Sequence, residues 1–293
     1  MEKMRLGFIG VGVMGHGMAS CLVEAGYELT VIAHRNRTPV EDLVGRGAIE
    51  ARSLARLAER SDVIILCVTN SKVVDAVVEE LLPSLRAGQI IIDSSTNEPE
   101  CSQRLARYLA DIGVGFAEAP LTGGIKQAAA GELGALVGSE PDVCEKIRPI
   151  LNSFCRTVEY FGPAGTGQTA KLINNYMVFG IAALVIEAFK KAEAANVDWK
   201  QLYDVAICGS GDSGVLRRMI GSAIEGNFEG YVFDVRGAHK DLGYYSRLSQ
   251  QMDGESALSE AVIDVFRNAE KSGHGDLMIS ELLRSDIDDT KEK

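Results

Sequence analysis

Met4-Arg5-Leu6-Gly7-Phe8-Ile9 runs directly into Gly10-Val11-Gly12-Val13-Met14-Gly15. The first six residues are short and mostly apolar and read as a buried strand. The glycines then open a helical segment, Met18 to Ala25, which stops at Gly26 and gives way to a second strand, Glu28 to Ala33. G-x-G-x-x-G alone is a weak signal. Between a strand and a helix of one βαβ unit it has the context that a dinucleotide-binding turn requires. Gly10 makes the tight turn, Gly12 lets a pyrophosphate approach the backbone, and Gly15 lets the helix pack on the strand. The helix N-terminus offers amides and the positive end of its dipole to the phosphates, and Val13 and Met14 in the turn are candidate cofactor contacts.

A site selective for NAD places an acidic residue about 20 positions on, where it holds the ribose hydroxyls. That place here holds Ala33-His34-Arg35-Asn36-Arg37-Thr38, with two guanidinium groups and no carboxylate. Arginine suits a phosphate monoester through bidentate, charge-assisted hydrogen bonds. The reading therefore favours NADP over NAD, with Arg35, Arg37 and Thr38 as contacts and His34 as an adenine-side wall or a solvated loop residue. Thr38 has a second reading, because Thr38-Pro39-Val40-Glu41 fits a capping box with proline at the first helical position.

The alternation continues with a helix from Ser53 to Arg60, a strand from Asp62 to Val68, a helix from Lys72 to Leu82 and a strand from Gln89 to Asp93. Further strands are expected over Phe116–Ala119, Leu133–Gly138 and Thr157–Tyr160. Such alternation predicts a parallel sheet covered on both faces, with ligands beyond the carboxyl ends of its strands. Thr69-Asn70-Ser71 and Asp93-Ser94-Ser95-Thr96 occupy those ends. Hydroxyl-rich turns are usually local caps, but their place at the rim makes Ser95 and Thr96 candidate ligand contacts. Thr122-Gly123-Gly124 presents a hydroxyl and two backbone amides suited to a carboxylate.

From Thr166 the pattern changes to a helix running to Asn196, followed by helical segments only. The predicted fold is α/β: an N-terminal Rossmann doubly wound sheet over 1–162, then an all-helical domain for substrate and dimerisation over 163–293. The apolar run Leu172–Ile186 is shorter than the ~20 residues a bilayer span needs, so a buried helix is expected, covered in part by the first domain or by a homodimer or homotetramer partner.

A net charge of −11, from 30 basic and 41 acidic residues, argues against nucleic acid as a partner. The six cysteines form no C-x-x-C pair and the four histidines show no metal-ligand spacing, so reduced, buried thiols and no metal are expected. No signal peptide or membrane span is read from the start of the chain, and a cytoplasmic location is expected.

The chemistry concentrates in Gly165-Thr166-Gly167-Gln168-Thr169-Ala170-Lys171-Leu172-Ile173-Asn174-Asn175. Lys171 and Asn175 lie four residues apart on one helix face, and an ammonium on an apolar helix is costly unless something uses it. Gly211-Asp212-Ser213-Gly214 echoes the serine-protease nucleophile turn, but that half of the chain is helical and reads better as an inter-helix turn.

Four separated motifs together resemble the β-hydroxyacid dehydrogenases, a family that includes 3-hydroxyisobutyrate dehydrogenase and several semialdehyde reductases. They are Phe8–Gly15, Pro120-Leu121-Thr122-Gly123-Gly124, Gly165–Asn175 and His239-Lys240-Asp241-Leu242. The resemblance implies that Lys171 is the catalytic lysine and Asn175 its orienting partner. It also implies that Thr122, Gly123 and Gly124 hold a substrate carboxylate, and that Val68, Thr96 and Lys240 contact the cofactor. Thr122 departs from the serine common in the family. The expected activity is hydride transfer between NADPH and a small 3-oxo or semialdehyde acid. Alternatives are an imine reductase-like enzyme, which the lysine disfavours, and a non-catalytic dinucleotide-binding protein on the same fold.

Overall fold

The computed structural model describes residues 3–252, 254 and 256–290, with the side chains of 288–290 left aside. The chain divides into two compact units, Met1–Lys171 and Leu172–Lys293. The division falls inside the long helix, whereas the expected boundary lies ahead of it.

The first unit is built on a nine-stranded sheet of β1 (Leu6–Ile9), β2 (Leu29–Val31), β3 (Ile49–Glu50), β4 (Val63–Leu66), β5 (Ile90–Asp93), β6 (Gly115–Glu118), β7 (Leu121–Thr122), β8 (Leu133–Ser139) and β9 (Cys155–Gly162). Its order is β3-β2-β1-β4-β5-β6-β8-β7, with β9 pairing β8. The first six strands are parallel, β8 is antiparallel to β6, and β9 runs parallel to β8. This is the doubly wound order whose switch point lies between β1 and β4.

Alternate strand residues feed two separate cores. Leu6, Phe8, Val63, Ile65, Ile90 and Ile92 pack with α1 (Val13–Glu24), α2 (Thr38–Gly45), α6 (Ile125–Ala130) and α7 (Pro141–Leu151). Ile64, Leu66 and Ile91 face the opposite side, with α3 (Leu54–Arg60), α4 (Ser71–Leu81) and α5 (Pro99–Ala110). Every residue of β1, β4 and β5 is buried, which is why these strands read as unbroken apolar runs. In α5 the buried positions Cys101, Leu105 and Leu109 recur at one helical face. The short strands β3 and β7 and the helices α5 to α7 lie between the segments that the sequence pattern delimited.

The capping box expected at Thr38 does not form. The helix begins with Arg37 at its N-cap and no side-chain cap, because Asn36 intervenes: its Oδ1 accepts the Thr38 N–H at 3.1 Å. Glu41 pairs instead with Arg37. Asn70 and Ser53 do cap α4 and α3, accepting from Val73 and Arg56.

The second unit opens within α8 (Thr166–Ala194) and continues with α9 (Trp199–Ala206), α10 (Gly214–Ala223), α11 (Val235–Gln251) and α12 (Ala257–Ala269). Asn196, at φ 55°, ends α8. Around it the Val197 N–H returns to the Ala192 carbonyl and the Asn196 N–H to that of Glu193, a Schellman stop. At 29 residues with a mean hydropathy of 1.7 in its most apolar window, α8 is long and apolar enough to cross a membrane by composition, yet 44% of that window is buried in the protein. Phe179, Ala182, Ile186 and Phe189 enter the helical core. Phe179 lies 5.1 Å from Phe233 and 5.9 Å from Phe266, ring centre to ring centre.

Ser213 accepts from the Leu216 N–H and Asp212 pairs with Arg217, so the Gly211–Gly214 turn is a helix cap. Cys21, Cys101, Cys144 and Cys155 are buried, as expected of unpaired thiols, while Cys208 is exposed. Among the described residues no cluster of metal-ligating side chains occurs. Phe179→Ala should cost about 3–5 kcal/mol of stability by opening the aromatic cluster; a urea midpoint unchanged from wild type would contradict this packing.

Candidate active site

Three parallel strands end side by side at the switch point, and the turns that leave them gather the candidate cofactor contacts of the first unit. Gly10, at φ +100°, follows β1; a Cβ there would lie 2.1 Å from the Cys67 carbonyl. Gly15 is as constrained, its Cβ falling 2.0 Å from the Gly10 carbonyl. Gly12 differs, for no protein atom lies within 4 Å of where its Cβ would be. Two glycines are thus demanded by the protein's own packing, and the middle one faces open space. Gly12 is also the N-cap of α1, where no side chain caps the first-turn amides and no acidic residue stands. An open backbone beside an uncapped helix start fits a pyrophosphate.

Val68, Ser95 and Gly10 meet here. The Val68 side chain abuts Gly10, and the Val68 N–H donates to Ser95 Oγ at 2.9 Å. Ser95 is buried, so its hydroxyl joins the turns after β4 and β5. Thr96, next along, is half-buried. After β2, Arg37 is held by Glu50 through two parallel hydrogen bonds of 3.1 Å each. Arg35 is exposed and makes no ion pair among the described residues. The structure therefore separates two arginines that the sequence left equivalent. Thr38 and His34 are exposed beside them.

The Thr122-Gly123-Gly124 segment needs a correction. Its two glycine amides are not both open, because Gln127 Oε1 accepts the Gly124 N–H at 3.1 Å and closes the start of α6. Gln127 stands three residues after the N-cap and supplies the glutamine half of a capping box, glycine having no side chain for the other half. Thr122 Oγ1 donates to the Gly134 carbonyl at 3.4 Å, toward β8. Gly123 is required at φ +110°, and a Cβ there would meet Leu133 at 2.9 Å.

Beyond β5 and β6 lies a buried polar network that the sequence reading missed. Asp93 and Glu118 end these two strands in register, and both are fully buried. Asp93 Oδ1 accepts the Ser95 N–H at 2.9 Å and Oδ2 the Asn97 amide at 3.2 Å. Glu118 Oε1 accepts three backbone amides at the start of α8: Gly165 at 2.8 Å, Gly167 at 2.7 Å and Gln168 at 3.1 Å. Gln168 completes the ring, accepting the Asn97 N–H at 3.0 Å and donating to the Ser95 carbonyl at 2.9 Å. Burial pushes the Asp93 carboxyl up to about 6 and that of Glu118 up to about 7, against the pull of these hydrogen bonds.

Lys171 follows one turn after Gln168 on α8 and is buried, at 7% exposure. Asn175, one turn further and also buried, belongs to the second unit. There its amide donates to Asp241 Oδ2 at 2.7 Å. Lys240 Nζ lies 3.1 Å from Asp241 Oδ1 and over the Tyr244 ring, 5.5 Å from its centre. Asp241 thus joins Asn175 and Lys240 within the second unit.

Residues 5–162 match the family model described as the NAD binding domain of 6-phosphogluconate dehydrogenase. Residues 165–285 match that described as NAD-binding of NADP-dependent 3-hydroxyisobutyrate dehydrogenase. The chain belongs to the β-hydroxyacid dehydrogenase family. It is 28% identical to 2-(hydroxymethyl)glutarate dehydrogenase of Eubacterium barkeri, over 94% of this chain and 92% of that one. Its fold is similar to that of Mycobacterium tuberculosis 3-hydroxyisobutyrate dehydrogenase with L-serine, with a TM-score of 0.87, 25% identity, and 96% and 98% of the two chains covered. It is also similar to Psf3 in complex with NADP+ and 2-OPP, with a TM-score of 0.85, 28% identity, and 95% and 98% covered. This β-hydroxyacid dehydrogenase is therefore an NAD(P)-dependent oxidoreductase with a Rossmann-like first unit and a helical second one.

Two measurements test the site as described. Gly10→Ala should lower stability by about 3 kcal/mol or more through backbone strain and clash, whereas Gly12→Ala should leave the melting temperature unchanged and weaken dinucleotide binding; equal destabilisation by the two would refute the open-space argument. The second concerns pH. Raised carboxyl values mean that the folded state holds protons more tightly than the unfolded chain, so these groups stabilise most below their ordinary values of 4.5 and 3.8. That contribution is lost as pH rises through about 6 for Asp93 and about 7 for Glu118. Glu118→Gln should flatten the fall in stability between pH 5 and pH 8, and a slope identical to wild type would exclude the Glu118 contribution.

Proposed function

We propose that this enzyme interconverts a small β-hydroxyacid and its 3-oxo or semialdehyde acid, using NADP, with Lys171 as general acid and base. The observation that carries the reading is Lys171, a buried ammonium on the turn of α8 that follows the Glu118-anchored helix start. A buried lysine is costly unless its proton is used or shared. Similarity to 2-(hydroxymethyl)glutarate dehydrogenase and to 3-hydroxyisobutyrate dehydrogenase supports a hydroxyacid as substrate class.

The bound dinucleotide supplies or accepts a hydride at the substrate carbon. Gly12 and the amides of Val13, Met14 and Gly15 would hold its pyrophosphate, with Val68 and Thr96 beside them. Arg35 meets the 2′-phosphate, because Arg37 is already engaged by Glu50 in the fork geometry a phosphate would need. Ser95, Thr122 and Gly123 line the carboxylate of the substrate, with Gly124 available only when Gln127 gives up its amide. In reduction Lys171 Nζ delivers a proton to the forming alkoxide; in oxidation neutral Lys171 takes the hydroxyl proton. Asn175, fixed by Asp241, orients the substrate oxygen beside it. The exposed side chains Ile173, Met177 and Leu184, at one helical spacing on α8, support a second copy as the partner.

A panel of semialdehydes and hydroxy acids assayed with both cofactors tests the reading. Lys171→Ala should lower turnover by ~100-fold or more with cofactor binding retained; unimpaired turnover would refute the mechanism. Arg35→Ala should reduce the preference for NADPH by about tenfold, the order of a lost charge-assisted pair, and Arg37→Ala by less. A wild-type preference for NADH would overturn the assignment of Arg35.

A further inference from the structure

The first turn of a helix leaves its amides without intrahelical acceptors, and the usual remedy is one serine, threonine, asparagine or aspartate at the N-cap. α8 uses a residue from another strand. A single oxygen of Glu118, at the end of β6, gathers the amides of Gly165, Gly167 and Gln168, 47 to 50 residues away in sequence. A Cβ on Gly138 would lie 2.3 Å from the same Glu118 oxygen, and one on Gly167 would lie 2.4 Å from the Leu136 carbonyl. The helix start therefore rests on β8 and is gripped by β6 at one point.

A carboxylate at a helix start is electrostatically favourable, but a grip through one oxygen leaves rotation about the helix axis unspecified. Gln168 supplies that second constraint. Its side chain spans the Asn97 N–H and the Ser95 carbonyl, while its own N–H goes to Glu118. The Ser95–Asn97 turn is in turn held by Asp93 through Ser95 N–H and the Asn97 amide. Two strand ends and a turn thus fix both the height and the rotation of α8 at Gln168, three residues before Lys171.

We propose that Glu118 and Gln168 are positioning residues for Lys171, setting where its Nζ stands relative to the turns that hold the cofactor. The proposal rests on the reading of Lys171 as proton donor, and the hydrogen bonds of both side chains go to the protein itself. Because α8 is rigid over one turn, a displacement at Gln168 is passed to Lys171 undiminished, and a displacement of about 1 Å at a reacting group costs on the order of 100-fold in rate.

The test compares Glu118→Ala, Glu118→Gln and Gln168→Leu with wild type. Glu118→Ala removes the acceptor, and Glu118→Gln keeps a carbonyl oxygen for the three amides. Glu118→Ala should lower kcat by about tenfold or more, with the KM and Kd for NADPH within about twofold of wild type; Glu118→Gln should restore kcat to within about threefold, and Gln168→Leu should fall between. A general loss of structure would instead move cofactor affinity with kcat and would not be rescued by glutamine. Wild-type kcat in Gln168→Leu, or in a folded Glu118→Ala, overturns the proposal, and Gln168→Leu decides it should Glu118→Ala not fold. A second readout needs no substrate: pyridoxal phosphate labelling of lysines, fixed by borohydride and mapped by mass spectrometry. Lys171 labelling should change by more than about threefold in Glu118→Ala relative to the other lysines and return with Glu118→Gln. If no acid is turned over by wild type, the reading of the reaction fails while this labelling still decides the positioning role; unchanged Lys171 labelling in both alanine and leucine variants overturns it.

Discussion

The carboxylate of Glu118 is the point on which the lysine-bearing helix is hung. A buried acid often recruits a cation, and here backbone amides stand in place of one. One oxygen is surrounded by three amides whose own acceptors are missing because they begin a helix. Each partner solves the other's desolvation problem: orphan donors meet an acceptor with spare lone pairs. Such an arrangement is exacting in geometry, since three N–H vectors must converge on one atom. It forces glycine at 138 and 167, where a Cβ would occupy the space that the convergence needs.

Much of the first unit is legible because its strands are buried on both faces. An unbroken run such as Val63-Ile64-Ile65-Leu66 can be little else once glycine and polar clusters bound it. The glycine turn after β1 is legible for a different reason: three small residues at fixed spacing satisfy three separate distances, and the structure assigns two of them to packing and one to open space. Less legible are features in which a local signal has a competitor nearby. Thr38 looks like a cap until Asn36, two residues earlier, takes its N–H. Gly124 looks like an open amide until Gln127, three residues later, closes it. In both cases the competing residue stands in the same short segment and obeys an equally ordinary rule.

What the sequence conceals is contact at a distance. Glu50 claims Arg37 across 13 residues, and Glu118 claims the start of α8 across nearly 50. No periodicity carries this information, because a single polar residue at the end of an apolar strand is as readily a solvated rim residue as a buried anchor. Asp93 belongs to a hydroxyl-rich turn in the sequence, and it does accept the Ser95 N–H two residues on. That its other oxygen reaches Asn97, and through Asn97 the helix at Gln168, follows only from the parallel register that sets Asp93 beside Glu118.

A buried carboxylate pair is a poor way to stabilise a fold, since apolar residues of similar volume would serve as well or better. Its retention needs a reason beyond stability, and direction is the reason the geometry offers. Apolar contacts are tolerant of small slides along a helix axis; converging hydrogen bonds are not, because they weaken steeply as angles depart from linear. A helix that must present one side chain at one place gains from being held by the intolerant kind of contact. The polar ring of Asp93, Asn97, Gln168 and Glu118 is built from that kind alone, and it is applied to the turn of α8 immediately before Lys171.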